Sequence, residues 1–145
     1  MSQPDPLTDQ EYSRLLTFRT ELRRFLRWSE HRAAEVGLTG AQHQLLLAIR
    51  GHLGPGGPSV GDIAEYLCAR RHHSVVQLID RTEQAGLVAR NREEGKDRRV
   101  VRLTLTEAGQ QTLALLSATH LEELGRLTSL VDSLADLTAA IPQAR

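Results

Sequence analysis

The residues from Ser59 to Gly109 constrain the fold more than any other part of this 145-residue sequence. Two short stretches with helical spacing of apolar residues come first. A hydrophobic strand, a charged tip, an alternating strand and a new helix start follow them. This order is typical of a helix-turn-helix followed by a β-wing, and both parts of such a unit can bind duplex DNA. The segment therefore predicts a mainly α fold with a small β-wing.

The elements of this segment have clear start and stop signals. Ser59 is a good N-cap, with Asp62 in the first turn that follows it, and Gly86 ends the second helix. Thr106 caps the helix that follows the wing. The predicted elements are a helix over 60–67, a turn at 68–70, a helix over 71–85, a strand over 87–92, a tip at 93–97 and a strand over 101–105.

Long amphipathic helices are predicted on both sides of this unit. A helix over about 9–36 ends at Gly37 and spans roughly 40 Å at about 1.5 Å per residue. A capping box at Thr39 and Gln42 begins a short helix that ends at Gly51.

The C-terminal segment is leucine-rich and acidic. Leucines recur at helical spacing from Leu113 to Leu137, which predicts one or two helices. In the case of two helices, Ser129 is the expected cap of the second.

The formal net charge is zero, but the charge is unevenly distributed. Residues 70–105 carry nine basic and five acidic side chains, whereas residues 106–145 carry two and five. A basic patch on the helix and wing unit is the electrostatic pattern expected of a DNA-binding surface. The alternative is an ordinary solvated face.

The polar side of the helix over 71–85 carries groups suited to base edges and phosphates, because Gln can pair with adenine and Arg with guanine or phosphate. Basic wing residues suit a narrow minor groove. The predicted DNA-binding residues are Arg70, Arg71, His72, His73, Ser74, Gln77, Arg81, Lys96, Arg98 and Arg99. Asp97 is expected to hold one of the wing arginines in an ion pair. The alternatives are a solvent-facing helix surface and a weak surface ion pair.

Other kinds of site find little support. His72 and His73 are adjacent, so their rings diverge on a helix, and no metal site is predicted. No catalytic motif or cofactor-binding loop is present, so we expect neither an enzyme nor a cofactor. The sequence has no membrane-spanning run and no signal pattern, which favours the cytoplasm.

Cys68 is the only cysteine and lies at the turn between the two predicted helices. We expect a small buried side chain there. A redox switch is the alternative, because Arg70 and Arg71 are close in sequence and could favour the thiolate.

The combined pattern resembles the MarR family of bacterial transcriptional regulators. The most specific matches are Asp80-Arg81, Gly86-Leu87-Val88, Asp97-x-Arg99 and Leu105-Thr106-x-x-Gly109, in that order. The resemblance covers nearly the whole chain. It implies a single domain over 1–145, with dimerisation helices at 1–36 and 107–141 and a winged helix-turn-helix DNA-binding region at 38–106.

The resemblance also implies how such a protein acts. A homodimer would bind a pseudo-palindromic operator, with each wing at a minor groove and each helix 71–85 in a major groove. Many family members release DNA when a small phenolic or anionic compound binds between the dimerisation and DNA-binding regions. The family's single-cysteine peroxide sensors carry their cysteine near the N-terminal helix, whereas Cys68 lies elsewhere.

The sequence thus predicts a sequence-specific DNA-binding transcriptional regulator that acts as a repressor and responds to a small-molecule effector. The alternative is a winged-helix module that binds protein and not DNA. Such a module would need no excess of basic side chains on its helix and wing unit.

Overall fold

The structure is a computed structural model that describes residue 3 and residues 6–92 and 100–139. Its elements are α1 (Asp9–Glu35), α2 (Gly40–Gly51), α3 (Val60–Tyr66), α4 (His72–Gln84), β1 (Val88–Arg92), β2 (Val101–Leu105), α5 (Glu107–Arg126) and α6 (Thr128–Ala139). This order confirms the predicted winged helix-turn-helix, with element ends within one residue of those expected. Two C-terminal helices are present, and the second begins at Thr128, so Ser129 lies inside α6 and is not its cap.

The described chain divides into two compact units. The helical unit comprises the chain up to Ser29 and from Thr119 onwards. The winged unit comprises Glu30–Ala118.

The winged unit is built around one apolar core to which every helix and strand of the unit contributes. A two-stranded sheet and α2, α3 and α4 enclose this core, together with the end of α1 and the start of α5. Its buried members are Ala33, Leu38, Leu45, Leu46, Ile49, Ile63, Val75, Ile79, Val88, Leu103, Leu113 and Leu116.

The predicted capping box at Thr39 is present, and Ser59, predicted as an N-cap, forms a second capping box, so the two fix where α2 and α3 begin. The Thr39 hydroxyl accepts from the Gln42 N–H at 3.1 Å, and the Gln42 side chain accepts from the Thr39 N–H at 3.0 Å. Ser59 and Asp62 exchange the same pair of bonds at 3.1 and 2.8 Å. These bonds satisfy N–H groups that would otherwise lack partners at the helix start.

The wing strand β2 is held against the loop that precedes α3. Strands β1 and β2 pair antiparallel, with Val88 opposite Leu105 and Arg92 opposite Val101. On its other edge, the Leu103 N–H donates to the Pro58 carbonyl at 2.9 Å. Gly57 has φ +83°, and a Cβ there would lie 2.3 Å from the Leu103 carbonyl oxygen. The position therefore needs a glycine, which lets the loop and the wing strand meet.

In the helical unit, α1 packs on α5 through an aromatic cluster around His120. His120 is buried, and its Nε2 shares a hydrogen bond of 2.7 Å with the buried Ser29 hydroxyl. The rings of Trp28 and Phe25 lie 4.8 and 6.2 Å from the imidazole, between centroids. Nothing in the sequence assigned His120 a role, because its partners lie about ninety residues away along the chain.

None of the helices in the described part of the chain is long and apolar enough to cross a membrane.

Candidate nucleic-acid interface

Helix α4 has one buried and one exposed side, as its sequence pattern predicts. Val75, Ile79 and Thr82 are buried in the core of the winged unit. The Thr82 hydroxyl donates to the Leu78 carbonyl at 2.7 Å, which satisfies this polar group inside the core. The opposite side of α4 is therefore available for contact with another molecule.

All of the predicted DNA-binding residues on and before α4 are exposed. They lie in the turn before α4 and along the helix. They are Arg70, Arg71, His72, His73, Ser74, Gln77 and Arg81. No ion pair among the described residues includes Arg70, Arg71 or Arg81. The cationic groups of this surface therefore remain available to an anionic ligand.

Two of these side chains, Gln77 and His73, contact each other. The amide nitrogen of Gln77 lies 3.2 Å from His73 Nε2, one helical turn away. Because an amide nitrogen only donates, the imidazole nitrogen accepts in this bond. The contact sets the direction of the Gln77 amide on the exposed face of α4.

The start of α4 has no side-chain cap. Arg71 occupies the N-cap position in an extended conformation, and its side chain makes no capping hydrogen bond. The first N–H groups of a helix lack partners within the helix and favour anions. With Arg70 and Arg71 beside them, these N–H groups suit a phosphate of the DNA backbone.

Arg90 connects the wing to α4. From β1 its guanidinium donates to Asp80 at 2.6 Å and to Glu83 at 2.7 Å. Partial burial disfavours the charged form, but the hydrogen bond to Asp80 and the charge of Glu83 outweigh it and raise the pKa of Arg90. No local pattern in the sequence indicates this contact, because the partners lie seven and ten residues from Arg90 and in another element.

A second group of polar side chains connects α2, α3 and β2. His52 Nδ1 shares a hydrogen bond of 2.7 Å with the Tyr66 hydroxyl, and His52 Nε2 lies 4.0 Å from Asp62. Arg102 of β2 lies 3.9 Å from the same carboxylate. The backbone N–H of Ser59, then its hydroxyl, lowers the pKa of Asp62, and the charges of His52 and Arg102 act in the same direction. Asp62 therefore stays ionised and attracts the wing strand towards α3.

Cys68 is exposed, so the expectation of a buried side chain was wrong. It follows α3 with φ +50°, the position that glycine usually occupies at a helix end. The Cys68 N–H donates to Glu65 and the Ala69 N–H to Ala64, as in a Schellman motif. This backbone conformation, and not the apolar character of the residue, decides where the side chain lies.

The predicted wing-tip residues Lys96, Asp97, Arg98 and Arg99 lie outside the described residues. Their roles remain predictions. Among the described residues, no group of three His, Cys, Asp or Glu side chains is placed to bind a metal ion.

Comparisons with known proteins agree with this architecture. Residues 36–99 match the sequence model of the MarR family. No match was found among curated protein sequences. Among solved structures, the YusO protein from Bacillus subtilis has a TM-score of 0.65 and 27% identity, over 97% of this chain and 100% of that protein.

Two further structures share the fold. AbsC, a MarR family transcriptional regulator from Streptomyces coelicolor, has a TM-score of 0.72 and 25% identity, over 94% of this chain and 93% of AbsC. MepR from Staphylococcus aureus, solved as a complex with DNA, has a TM-score of 0.68 and 19% identity, over 94% of this chain and all of MepR.

Proposed function

We propose that this chain, whose residues 36–99 match the model of the MarR family, is a transcriptional regulator of that kind that binds specific DNA sequences and represses transcription. The exposed polar side of α4 carries this proposal. Gln77 and Arg81 offer an amide and a guanidinium on a helix whose other side is anchored in the core. A rigid helix with such a face can enter the major groove and contact base edges.

The groups around α4 support the same function. Arg70, Arg71 and the uncapped start of α4 suit phosphates, which position a protein on DNA without reading its sequence. Arg90 fixes α4 relative to β1, so the helix and the wing can approach DNA as one rigid surface. The sequence adds further basic residues between β1 and β2, namely Lys96, Arg98 and Arg99. We propose that they also contact DNA and that Asp97 orients one of the arginines.

We further propose that the chain acts as a homodimer through residues 1–36 and 107–141. Large apolar side chains of the helical unit, including Leu16 and Leu121, are about two-thirds exposed, at 68% and 70%. A second copy that covers such residues would gain roughly 25 cal/mol per Å² of apolar area. A two-fold dimer binds two half-sites about one DNA turn apart, so the operator would be a pseudo-palindrome.

The remaining parts of the proposal follow from the resemblance to the family. The protein would act in the cytoplasm, where its DNA is, and a small phenolic or anionic effector would release it from the operator. A titration of the operator complex with a phenolic carboxylate tests the effector. If compounds of this class leave the affinity of the protein for its operator unchanged, the proposed effector is contradicted.

Selection of bound duplexes from a random-sequence pool, with the full-length protein, tests the proposed function. We expect enrichment of a pseudo-palindrome whose half-sites are centred about one helical turn apart. A pool without enrichment would instead favour the winged-helix module that binds protein. Regulation of a promoter that carries the selected sequence then distinguishes repression from activation.

A further inference from the structure

A small cavity lies between α2 and the end of α3 in the winged unit. Its volume is about 260 Å³. An engineered cavity of about 150 Å³ in another protein holds one benzene ring, so this cavity has room for two fused rings. The residues that line it are Gln44, Leu47, Ala48, Gly51, Tyr66 and Leu67. We name these six residues the α2–α3 cleft.

The lining of the α2–α3 cleft is mostly apolar and carries no charge. Ala48 and Leu67 pack against the core of the winged unit, whereas Leu47 and Tyr66 are 48% and 52% exposed and leave the cleft open to solvent. Gln44 contributes an amide, which can both donate and accept a hydrogen bond. An ionised ligand would lose its water here without gaining a charged partner. The cleft therefore suits a neutral, largely apolar compound with one polar group.

Two features of the cleft are already in place for a ligand. The Tyr66 hydroxyl shares a hydrogen bond of 2.7 Å with His52 Nδ1, and the two rings lie edge to face with centroids 5.8 Å apart. These contacts hold the aromatic ring of Tyr66, and binding to an ordered surface costs less conformational entropy. The space beside Gly51 is open, because a Cβ there would meet nothing within 4 Å.

The bond between Tyr66 and His52 also connects the cleft to the wing strand. His52 Nε2 lies 4.0 Å from the Asp62 carboxylate, and Arg102 of β2 lies 3.9 Å from the same carboxylate. Arg102 also donates to the Gly57 carbonyl at 3.4 Å. The open cleft and these contacts belong to one conformation. A ligand that binds the cleft therefore favours the conformation in which β2 is held.

We propose that the α2–α3 cleft binds a neutral compound of two fused aromatic rings with one hydroxyl or N–H group, and that this ligand holds the wing strand through Tyr66 and His52. The rings would contact Leu47 and Tyr66, and the polar group would bond to the Gln44 amide. All six residues of the cleft belong to the winged unit. The inference is thus separate from the effector proposed above, and it does not require that the protein binds DNA.

A titration of the full-length protein with two related compounds, followed by the NMR shifts of its backbone amides, tests the class of ligand. The hydroxyl of 2-naphthol, like the phenol of tyrosine, is neutral at pH 7. For this ligand of about eleven non-hydrogen atoms we expect a dissociation constant below about 1 mM. The anion 2-naphthoate has the same rings, and we expect it to bind the cleft at least about tenfold more weakly.

A substitution that fills the cleft locates the binding site. Gly51→Leu places a side chain in the open space, and we expect it to weaken the binding of 2-naphthol about tenfold or more. Gly125→Leu is the matched control, because Gly125 also lies in a helix and a Cβ there meets nothing within 4 Å. We expect this control to bind 2-naphthol like the wild type. If Gly51→Leu unfolds the chain, as circular dichroism would show, Leu47→Gln replaces it with the same expected loss.

Hydrogen exchange of the Leu103 N–H measures the effect of the ligand on the wing strand, because this group bonds to the Pro58 carbonyl at 2.9 Å. With 2-naphthol at about ten times its dissociation constant, we expect the exchange to slow severalfold, and mass action limits this effect to about tenfold. Tyr66→Phe keeps the ring and loses the bond to His52. We expect it to bind 2-naphthol with nearly the wild-type affinity and to show no slowing.

Three results would overturn the site: Gly51→Leu that binds 2-naphthol like the wild type, Gly125→Leu that loses as much affinity, and 2-naphthoate that binds the cleft as tightly as 2-naphthol. A dimer constant changed by Gly51→Leu in sedimentation equilibrium would show that a second copy covers the cleft instead. An exchange rate that 2-naphthol leaves unchanged in the wild type, or slows equally in Tyr66→Phe, would overturn the link to the wing. A protein that passes these tests but selects no operator contradicts the proposed function alone.

Discussion

Arg90 of β1 donates to Asp80 of α4 at 2.6 Å, and this bond links the wing to the helix proposed to read DNA. A second bond from the same guanidinium to Glu83, at 2.7 Å, makes the link a fork across one turn of α4. Asp80 and Glu83 are half-exposed, so their ion pairs with Arg90 add little to the free energy of unfolding. The main effect of the fork is to orient α4 relative to β1.

We expect Arg90→Lys to weaken operator binding about tenfold, or roughly 1.4 kcal/mol, because lysine keeps the charge but cannot hold both carboxylates at once. The free energy of unfolding should fall by no more than about 1 kcal/mol. Fluorescence anisotropy and urea unfolding measure the two effects. An Arg90→Lys protein that binds DNA like the wild type would show that orientation by the fork does not matter.

Local signals in the sequence predicted the elements of the winged unit well. The capping boxes at Thr39 and Ser59 involve partners three residues apart, so the sequence is enough to find them. The buried and exposed sides of α4 follow from its 3.6-residue period. Arg90 could only be counted as a charge, because its partners become neighbours when β1 folds against α4. The position of Cys68 depends on a backbone conformation that residue type alone does not indicate.

Two glycines of α5 should respond to alanine with opposite signs. A Cβ at Gly109 would lie 2.1 Å from the Leu87 carbonyl oxygen, whereas a Cβ at Gly125 meets nothing within 4 Å. We expect Gly109→Ala to destabilise the protein by about 1–3 kcal/mol through overpacking. Gly125→Ala should stabilise it by about 0.5–1 kcal/mol, because alanine loses less conformational entropy in a helix. Urea unfolding measures the free energy of unfolding of both variants and of the wild type. Equal changes in the two variants would contradict the close approach of α5 to Leu87.

Replacing Cys68 by glycine should stabilise the winged unit. The left-handed conformation at φ +50° costs a residue with a Cβ about 1–2 kcal/mol, and glycine avoids this cost. Cys68→Ala keeps the Cβ and serves as the control, which we expect to change the free energy of unfolding little. Thermal unfolding under reducing conditions distinguishes them, and a Cys68→Gly protein less stable than Cys68→Ala would refute the strain at this turn.

Gln77 and Arg81 should affect DNA binding in different ways. Gln77→Ala is expected to relax the preference at one or two base pairs by about 1–3 kcal/mol each, because the amide can read a base. Arg81→Ala should weaken binding to all sequences about equally and flatten the salt dependence, whose slope is about −0.9 per phosphate neutralised. Repeating the duplex selection with each variant separates the two roles. Identical preferences for the wild type and Gln77→Ala would remove Gln77 from the reading surface.

The most direct test of the account is the ratio of the dissociation constants of the full-length protein for the selected duplex and for a scrambled duplex, measured at one salt concentration. A sequence-reading dimer should bind its operator at least about 10³-fold more tightly than the scrambled control. It should do so with two chains per duplex, and Gln77→Ala should lower the ratio. Equal affinities for the two duplexes would contradict the central claim that α4 reads DNA sequence.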